Sequence, residues 1–288
     1  RMGRSTFRYH ASRLNDESIE RLKLETHLLG ACKRRELRLL YQPLVRRSDG
    51  KVCGAEALLR WQPSGLPRIG PDRFLPIAEE TGLIVEFGEW VIEEACSQLA
   101  RWHAQGLGHL RMSVNLSVRE LAAPGLVDWV GRCIERHGLE RHDLRIELSE
   151  RVLMEKPLRN AGPLEGLRRL GVDLSIGEFG LGDSSLSDLR HLPVDEIKID
   201  RAFTAGLPQA HADLAIVRAI VVLAQSLGIR VVAEGIEHPE QLRAVQNLGI
   251  DEFQGYLLGH PMQADEFGTL AHIYELNPPP LGTSLAID

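Results

Sequence analysis

Several apolar, strand-like runs along this chain each end in a carboxylate, an amide or a lysine. The polar residues at these strand ends are Glu56, Asn115, Glu147, Glu178, Lys198 and Glu234. A parallel β/α barrel gathers the C-terminal ends of its strands around one mouth, so residues far apart in sequence can converge on a single site. Oxygen ligands of this kind suit Mg²⁺ or Mn²⁺. The single lysine among them indicates a substrate with anionic oxygens.

Helical and strand-like segments alternate along the chain after Trp61. Several predicted helices are followed by a glycine and then a β-branched residue, as in Leu227-Gly228-Ile229. Glycine can end a helix in the left-handed conformation, and the residue after it begins the next strand. The predicted helices are Pro71 to Thr81, Val85 to Trp102, Leu126 to His137, Pro163 to Leu170, Asp213 to Leu227 and Pro239 to Leu248.

The chain opens differently, with two strand-like segments, Glu36 to Val45 and Val52 to Trp61, on either side of a Ser48-Asp49-Gly50 turn. That pattern predicts an antiparallel hairpin. The six later predicted strands are Met112 to Asn115, Leu144 to Leu148, Val172 to Ile176, Glu196 to Ile199, Arg230 to Ala233 and Glu252 to Gln254. Eight strands in this arrangement predict an α/β fold, a TIM-like (β/α)8 barrel whose first strand is antiparallel.

The bulk properties fit one barrel of about 250 residues within a chain of 288 residues, 43% of them hydrophobic. The net charge of −6 disfavours binding to polymeric nucleic acid, which usually requires a basic domain. Four widely separated cysteines predict free thiols in a reducing, cytoplasmic compartment. The most apolar stretch, Leu214 to Leu227, is too short to span a bilayer, so no membrane segment is predicted.

Three parts are predicted along the chain. Residues 1–35 form an N-terminal tail and a helix, Asp16 to Arg35, interpreted as a connector from an upstream domain. The alternative, that this helix is simply the first helix of the barrel, fits the sequence about equally well. Residues 36–275 form the barrel, and residues 276–288, with three consecutive prolines, form an irregular tail.

The segment Gly54-Ala-Glu-Ala-Leu-Leu-Arg-Trp61 carries the first candidate site. Period-two alternation puts Glu56, Leu58 and Arg60 on the same face of one strand. A carboxylate and a guanidinium that face one cavity can serve as a metal ligand and a phosphate clamp. A surface salt bridge on an edge strand is the alternative, and this segment by itself does not exclude it.

Taken together, motifs spread over most of the chain resemble the EAL domain, a family of cyclic di-GMP phosphodiesterases and, where the site has decayed, cyclic di-GMP receptors. The resemblance runs from about Glu36 to Phe267, and both the order and the spacing of the motifs agree. The main matching segments are Tyr41-Gln-Pro43, Gly54 to Trp61, Val114-Asn-Leu-Ser117, Glu147-Leu-Ser-Glu150, Phe179-Gly180, Ile197-Lys-Ile-Asp-Arg201, Ala233-Glu-Gly-Ile-Glu237 and Gln254-Gly-Tyr256.

The resemblance implies a role for each matching residue. Glu56, Asn115 and Glu147 would hold one Mg²⁺ or Mn²⁺, and Glu178 and Glu234 would help to hold a second. The implied catalytic residues are Lys198, Glu234 and Glu150, the last bracing the loop from Phe179 to Leu186. The implied ligand-binding residues are Gln42, Leu58, Arg60, Lys198, Glu237 and Gln254.

The chain departs from the family pattern at one position of the metal site. The family usually carries two adjacent aspartates before Phe-Gly, and the first of them bridges both metals; here Gly177 precedes Glu178. Glycine offers no side-chain oxygen, so we expect one ion or none to be bound. The sequence therefore predicts a cyclic di-GMP-binding domain with weak or absent phosphodiesterase activity. The alternative is an active phosphodiesterase that produces linear pGpG.

Two further hypotheses come from other classes. Lys198 at a strand end of a barrel could act as the nucleophile of a Schiff-base lyase, although neighbouring carboxylates disfavour that chemistry. The other hypothesis is a structural partner domain that no longer binds the nucleotide. The resemblance also implies a homodimer, and Gly3 to Tyr9 resembles the end of a GGDEF domain, so the expected partner upstream is a GGDEF or sensory domain.

Overall fold

Eight strands close into a barrel in which neighbours in the ring are also neighbours in the chain. The computed structural model describes residues 20–150, 162–180 and 192–278. The strands are β1 (Leu37–Arg46), β2 (Val52–Trp61), β3 (Arg111–Asn115), β4 (Leu144–Ser149), β5 (Asp173–Phe179), β6 (Glu196–Ile199), β7 (Arg230–Ala233) and β8 (Glu252–Phe253). The predicted barrel is confirmed.

The first strand runs against its neighbours, as the opening hairpin predicts. It pairs antiparallel with β2, where Gln42 lies opposite Glu56, and antiparallel with β8. All the other neighbouring pairs in the ring are parallel. Since β2 to β8 share one direction, their C-terminal ends open on one mouth, where a barrel of this kind carries its site.

Helices connect the strands and cover the outside of the barrel. They are α1 (Pro71–Thr81), α2 (Leu83–Ala104), α3 (Val118–Leu121), α4 (Leu126–His137), α5 (Gly162–Arg169), α6 (Arg201–Thr204), α7 (His211–Leu227), α8 (Pro239–Asn247) and α9 (Ala264–Leu276). All six predicted helices are present to within two residues at each end.

Among the residues that the structure describes, three helices were missed by the sequence prediction. Two of them, α3 and α6, are single turns of four residues, too short to show a period. The third, α9, runs for 13 residues and buries Phe267, Leu270, Ala271 and Tyr274. These buried residues recur at helical spacing, so the sequence contains the pattern that predicts α9, although no helix was predicted there.

Side chains alternate along the strands between two environments. Met112 and Val114 of β3, like Ile197 and Ile199 of β6, belong to the main hydrophobic core. The intervening residues are polar, and they contact one another between strands that are not adjacent in the ring. In a closed barrel such contacts run through the interior, so the barrel has a polar interior within an apolar shell.

Near the N-terminal ends of the strands this interior holds a layer of ion pairs, here called the lower ionic layer. Arg145 Nη1 lies 2.6 Å from Glu196 Oε2, and Arg111 Nη2 lies 2.5 Å from Glu252 Oε1. Arg145 is only 2% exposed. Ser175 Oγ donates to Glu196 Oε1 at 3.0 Å, so this layer closes the barrel from below.

The N-terminal helix is described from residue 20 to residue 28 and packs against α1. Its predicted end at Arg35 is wrong, because residues 29–35 form turns. Leu24 and Leu28 share a second hydrophobic cluster with Phe74 and Ile77 of α1. The helix therefore rests on the barrel, but its interpretation as a connector stays a prediction. Residues 1–19, with the GGDEF-like segment, and residues 279–288 of the predicted tail lie outside the described residues.

Two smaller expectations concern cysteines and membrane spans. Cys32, Cys53, Cys96 and Cys133 are free thiols, as predicted. Within the described ranges, no helix combines the length and the apolar character that crossing a membrane requires.

Candidate functional site

Three glutamates surround one buried lysine at the C-terminal mouth of the barrel. Lys198 Nζ, on β6, lies 2.7 Å from Glu56 Oε2 on β2 and 2.8 Å from Glu147 Oε2 on β4. It lies 2.6 Å from Glu234 Oε1, just past β7. One carboxylate oxygen from each of the three glutamates lies within 4.8 Å of the other two. These four residues, called the carboxylate cluster below, are four of the six that the sequence placed at strand ends.

When all three glutamates are ionised, the cluster carries more negative charge than its lysine neutralises. Burial raises the pKa of Glu147 well above its ordinary value, and repulsion from Glu56 and Glu234 adds to that effect. Burial also raises the pKa of Glu234. Burial opposes the charge of Lys198, but the three carboxylates outweigh it and raise the pKa of the ammonium well above its usual value. A cation would therefore be stabilised here.

Amide side chains hold Glu56 in place from two sides. Asn115 Nδ2 donates to Glu56 Oε1 at 2.8 Å, and Gln254 Nε2 donates to Glu56 Oε2 at 2.8 Å. Gln254 Nε2 also reaches Gln42 Oε1 at 3.2 Å. Burial disfavours the ionised form of Glu56, but Lys198 and these hydrogen bonds together lower its pKa. Glu56 is thus the most firmly ionised and oriented carboxylate of the cluster.

Gly177 lies inside β5, where its backbone pairs with Ser149 of β4, although the sequence prediction had ended this strand at Ile176. A Cβ atom added at Gly177 would lie 2.6 Å from Glu147 Oε1. The carboxylate of Glu147 therefore occupies the space that a side chain at position 177 would need. Any residue other than glycine here requires Glu147 to turn away.

Glu178 is not part of the carboxylate cluster. Its backbone has φ +55°, a left-handed conformation uncommon outside glycine, and its side chain is exposed. It lines the same cavity as Asn115 and Glu147. The structure therefore brings Glu178 to the site but leaves its carboxylate apart from the three that group around Lys198.

A cavity of about 850 Å³ opens beside the cluster. One wall is apolar, with Leu75, Ile84 and Phe87 from α1 and α2, and the half-buried side chain of Arg60 also lines the cavity. Leu58 also lines it. The apolar wall was missed as part of the site, because the sequence assigned Phe87 only to the packing face of a helix.

Two predicted residues lie at the edge of the site. Glu150 Oε2 accepts a hydrogen bond at 2.8 Å from the backbone N–H of Gly180, so it holds the start of the loop that it is expected to brace. Residues 181–186 of that loop lie outside the described residues. Glu237 is exposed, and its backbone N–H donates to Gln241 Oε1 at 2.8 Å, so its ligand role stays a prediction.

The donor set fits a hard divalent cation. Three carboxylates and the amide oxygen of Asn115 are the ligand types that Mg²⁺ and Mn²⁺ prefer. In the part of the chain described, only Glu56, Glu147 and Glu234 group three such side chains closely enough to share an ion. Gly177 has no side-chain oxygen, whereas the family pattern places a carboxylate at this position, next to Glu147.

Glu120, which also lines the cavity, provides a pH test of the structure. Its Oε2 accepts hydrogen bonds from Ser117 N at 2.7 Å and Ser117 Oγ at 2.5 Å, yet burial raises its pKa to about 7. The folded state therefore binds this proton more tightly than the unfolded chain does. Stability due to this group is complete below about pH 4.5, falls as the pH rises to about 7, and stays low above that.

We expect Glu120→Gln to remove this pH dependence. The amide keeps an oxygen for Ser117 and carries no charge. The difference in the free energy of unfolding between variant and parent should therefore be more favourable to the variant at pH 8 than at pH 4, by up to about 3 kcal/mol. Urea unfolding at both pH values measures the difference. Glu135→Gln, at an exposed position of α4, is the control and should change little. An equal effect of Glu120→Gln at both pH values would contradict the buried, protonated carboxyl.

Comparison with known proteins agrees with this geometry. The family model described as EAL domain matches residues 25–261. The chain is 43% identical over 264 residues to the bifunctional diguanylate cyclase/cyclic di-GMP phosphodiesterase MucR of Pseudomonas aeruginosa, covering 92% of this chain and 38% of MucR. It is 38% identical over 260 residues to the cyclic di-GMP phosphodiesterase NbdA of the same organism, covering 90% of this chain and 33% of NbdA. The chain thus spans well under half the length of these relatives.

Solved structures show the same likeness. The structure of the MucR phosphodiesterase in complex with c-di-GMP has a TM-score of 0.81 and 44% identity, covering 85% of this chain and 99% of that one. The FimX EAL domain of Pseudomonas aeruginosa bound to c-di-GMP has a TM-score of 0.75 and 28% identity, covering 83% of this chain and 96% of that one.

Proposed function

Because this chain belongs to the EAL domain family, we propose that it binds cyclic di-GMP at the barrel mouth and hydrolyses it slowly or not at all. The ligand class is supported by two relatives named as cyclic di-GMP phosphodiesterases and by two similar structures named as c-di-GMP complexes. The impairment rests on one observation: Gly177 supplies no oxygen, and Glu147 fills the space beside it.

Binding follows from the walls of the cavity. The cyclic dinucleotide carries two phosphates. Arg60 of β2 lines the cavity, and Lys198 of β6 lies in the carboxylate cluster beside it. Leu75, Ile84 and Phe87 offer an apolar wall for a purine ring. None of these contacts uses position 177. We therefore expect affinity for the dinucleotide to depend much less on Gly177 than the rate of hydrolysis does.

Catalysis requires Mg²⁺ or Mn²⁺, which we place with Glu56, Asn115, Glu147 and Glu234. When bound, such an ion polarises the phosphate and lowers the pKa of a water molecule. Glu56 is oriented for this task by its hydrogen bonds to Asn115 and Gln254. Lys198 adds fixed positive charge next to the phosphate, where charge builds up in the transition state.

An active phosphodiesterase is the second candidate function. It is favoured by the intact grouping of Glu56, Glu147 and Glu234 around Lys198, and Glu178 lines the same cavity. A Schiff-base lyase is disfavoured, because three carboxylates raise the pKa of Lys198 and keep it protonated, whereas such a nucleophile must be neutral.

Calorimetry and product analysis on the same preparation test the proposal. We expect the parent protein to bind cyclic di-GMP and, with Mg²⁺ or Mn²⁺, to release little linear pGpG. Binding with fast release of pGpG would establish the second candidate instead. Absence of binding, with or without a divalent ion, would favour a structural partner domain.

The wider assembly is also a proposal. MucR is named as both a diguanylate cyclase and a phosphodiesterase, and this chain spans 38% of its length. We infer that an upstream GGDEF or sensory domain regulates the barrel, that the domain forms a homodimer, and that it works in the cytoplasm, where the sequence placed it. Sedimentation of the protein with and without cyclic di-GMP checks the dimer.

A further inference from the structure

A second cavity lies at the end of the barrel opposite the mouth, where β3 begins at Arg111, β7 begins at Arg230 and the antiparallel β1 ends at Arg46. Its volume is about 420 Å³, within the range of about 300 to 1,000 Å³ that is usual for small-molecule sites. This cavity, called the basal pocket below, shares none of its described lining residues with the cavity at the mouth. Its lining includes four arginines and two carboxylates: Arg46, Arg47, Arg111, Arg230, Asp251 and Glu252.

Two of the four guanidiniums are paired with carboxylates of the protein. Arg111 Nη2 lies 2.5 Å from Glu252 Oε1, and Arg230 Nη2 lies 2.6 Å from Oδ2 of Asp173, which is outside the lining. The second carboxylate of the lining, Asp251, accepts a hydrogen bond through Oδ2 at 2.9 Å from a backbone N–H. These contacts are complete within the protein, so they belong to the fold and not to a ligand.

The two arginines at the end of β1 are less well satisfied. Arg46 Nε is buried and has no hydrogen-bond partner among the described residues, since Oδ1 of Asp49 lies 3.6 Å away. Arg47 is exposed, and in the described part of the chain no acceptor or carboxylate pairs with its guanidinium. A buried N–H without an acceptor destabilises the folded state. An oxygen-rich anion in the pocket would satisfy Arg46 and pair with Arg47.

The backbone that carries these two arginines is fixed. The N–H of Arg46 donates to Lys51 O across the hairpin, and the N–H of Arg47 donates to Asp251 O, just before β8, each at 2.9 Å. The N–H of Gly50 donates to Arg46 O, also at 2.9 Å. Side chains that start from an ordered backbone have less freedom to lose when they bind a ligand.

The charge of the lining favours an anion. Its four guanidiniums exceed its two carboxylates by two positive charges when His109 is neutral. The thiol of Cys53 lines the pocket as well, but burial raises its pKa to about 12. The thiol is therefore not ionised at neutral pH and adds no negative charge.

We propose that the basal pocket binds a small phosphorylated anion, whose phosphate oxygens accept hydrogen bonds from Arg46 and Arg47. The planar fork of a guanidinium matches phosphate oxygens in pairs. A phosphate monoester carries a charge of about −1.5 to −2 near pH 7, close to the excess of positive charge in the lining. A free phosphate ion shares this chemistry. The site lies apart from the mouth, so the inference does not depend on the proposed function.

Calorimetry without divalent ions tests the site, with inorganic phosphate and ribose 5-phosphate as separate probes. We expect saturable binding to the parent and a Kd about 10- to 150-fold higher for Arg47→Gln, the effect of losing one hydrogen bond between charged groups. Arg47 is exposed and has no internal partner for its guanidinium among the described residues, so the variant should fold. Arg38→Gln, also exposed but at the opposite end of β1, is the matched control and should bind like the parent. Arg60→Gln, at the mouth, should do the same.

The two probes also distinguish the source of the phosphate. Tighter binding of ribose 5-phosphate identifies an organic phosphate as the ligand class, and equal affinities identify the phosphate ion itself. The inference is overturned if the parent shows no saturable binding of either probe. It is overturned as well if Arg47→Gln and Arg38→Gln lose affinity equally, which indicates attraction by overall charge. A loss in Arg60→Gln with none in Arg47→Gln would place the phosphate at the mouth and refute the basal site.

Discussion

Replacing Gly177 by aspartate is expected to raise the rate of cyclic di-GMP hydrolysis by about 10²- to 10³-fold, the size of effect that one oriented charged or polar group has in other preorganised sites. The substitution adds a carboxylate oxygen next to Glu147, where the family pattern has a shared metal ligand. Appearance of linear pGpG in the presence of Mn²⁺, followed by chromatography, measures the change.

The structure shows what this substitution must displace. The new Cβ would lie 2.6 Å from Glu147 Oε1, which is the far end of a flexible side chain. The backbone of Gly177 does not have the positive φ that would oppose a larger residue. Glu147 can therefore turn aside at modest cost, and we expect the variant to fold.

Two control variants separate charge from space. Gly177→Asn has nearly the shape of the aspartate without its charge, and Gly177→Ala displaces Glu147 without adding an oxygen. Both should stay close to the parent in rate. If Gly177→Asp is no faster than Gly177→Asn while all three variants bind the dinucleotide, then the missing carboxylate is not what limits the parent.

Replacing Lys198 by methionine is expected to destabilise the fold by about 3 to 5 kcal/mol, because it leaves buried carboxylates without their cation. Lys198 is 1% exposed and contacts Glu56, Glu147 and Glu234 at 2.6 to 2.8 Å. Chemical unfolding in the absence of divalent ions measures the loss.

Mn²⁺ should restore much of this lost stability, since an ion that binds only the folded state stabilises it by about 2.7 kcal/mol at one hundred times its dissociation constant. Arg145→Met is the matched control. It removes another buried cation from inside the barrel, but in the lower ionic layer, where the three-carboxylate grouping is not found. Equal rescue of both variants by Mn²⁺, or no destabilisation by Lys198→Met, would contradict the assignment of the carboxylate cluster as the cation site.

The convergence of the site could be predicted because barrel topology itself dictates it. Glu147, Lys198 and Glu234 stand at or just past the C-terminal ends of β4, β6 and β7, and Glu56 lies midway along the longer strand β2. The ring brings these positions together. What the sequence could not give is that all three glutamates close on Lys198. Such contacts depend on side-chain conformations and on which charges are desolvated together.

The space beside Gly177 illustrates the same limit. The sequence shows that a carboxylate is missing there, but only the structure shows that Glu147 fills the place. Glu178 was expected to share the metal site, yet its left-handed backbone leaves its carboxylate outside the cluster. A left-handed backbone at a residue such as glutamate cannot be predicted from the residue type.

The lower ionic layer was missed for a different reason. Arg145 and Arg111 stand at strand starts, and the prediction looked only at strand ends. Their partners, Glu196 and Glu252, alternate with apolar residues and so carried a readable period-two signal.

Following ligand and product in one sample tests the central claim most directly. With protein in excess over cyclic di-GMP and with Mn²⁺ present, every dinucleotide molecule is bound, and rapid quenching then reports only what happens to bound ligand. We predict that the ligand stays cyclic over times in which Gly177→Asp converts it to pGpG. Conversion by the parent at the rate of that variant would contradict the claim that Gly177 uncouples binding from hydrolysis.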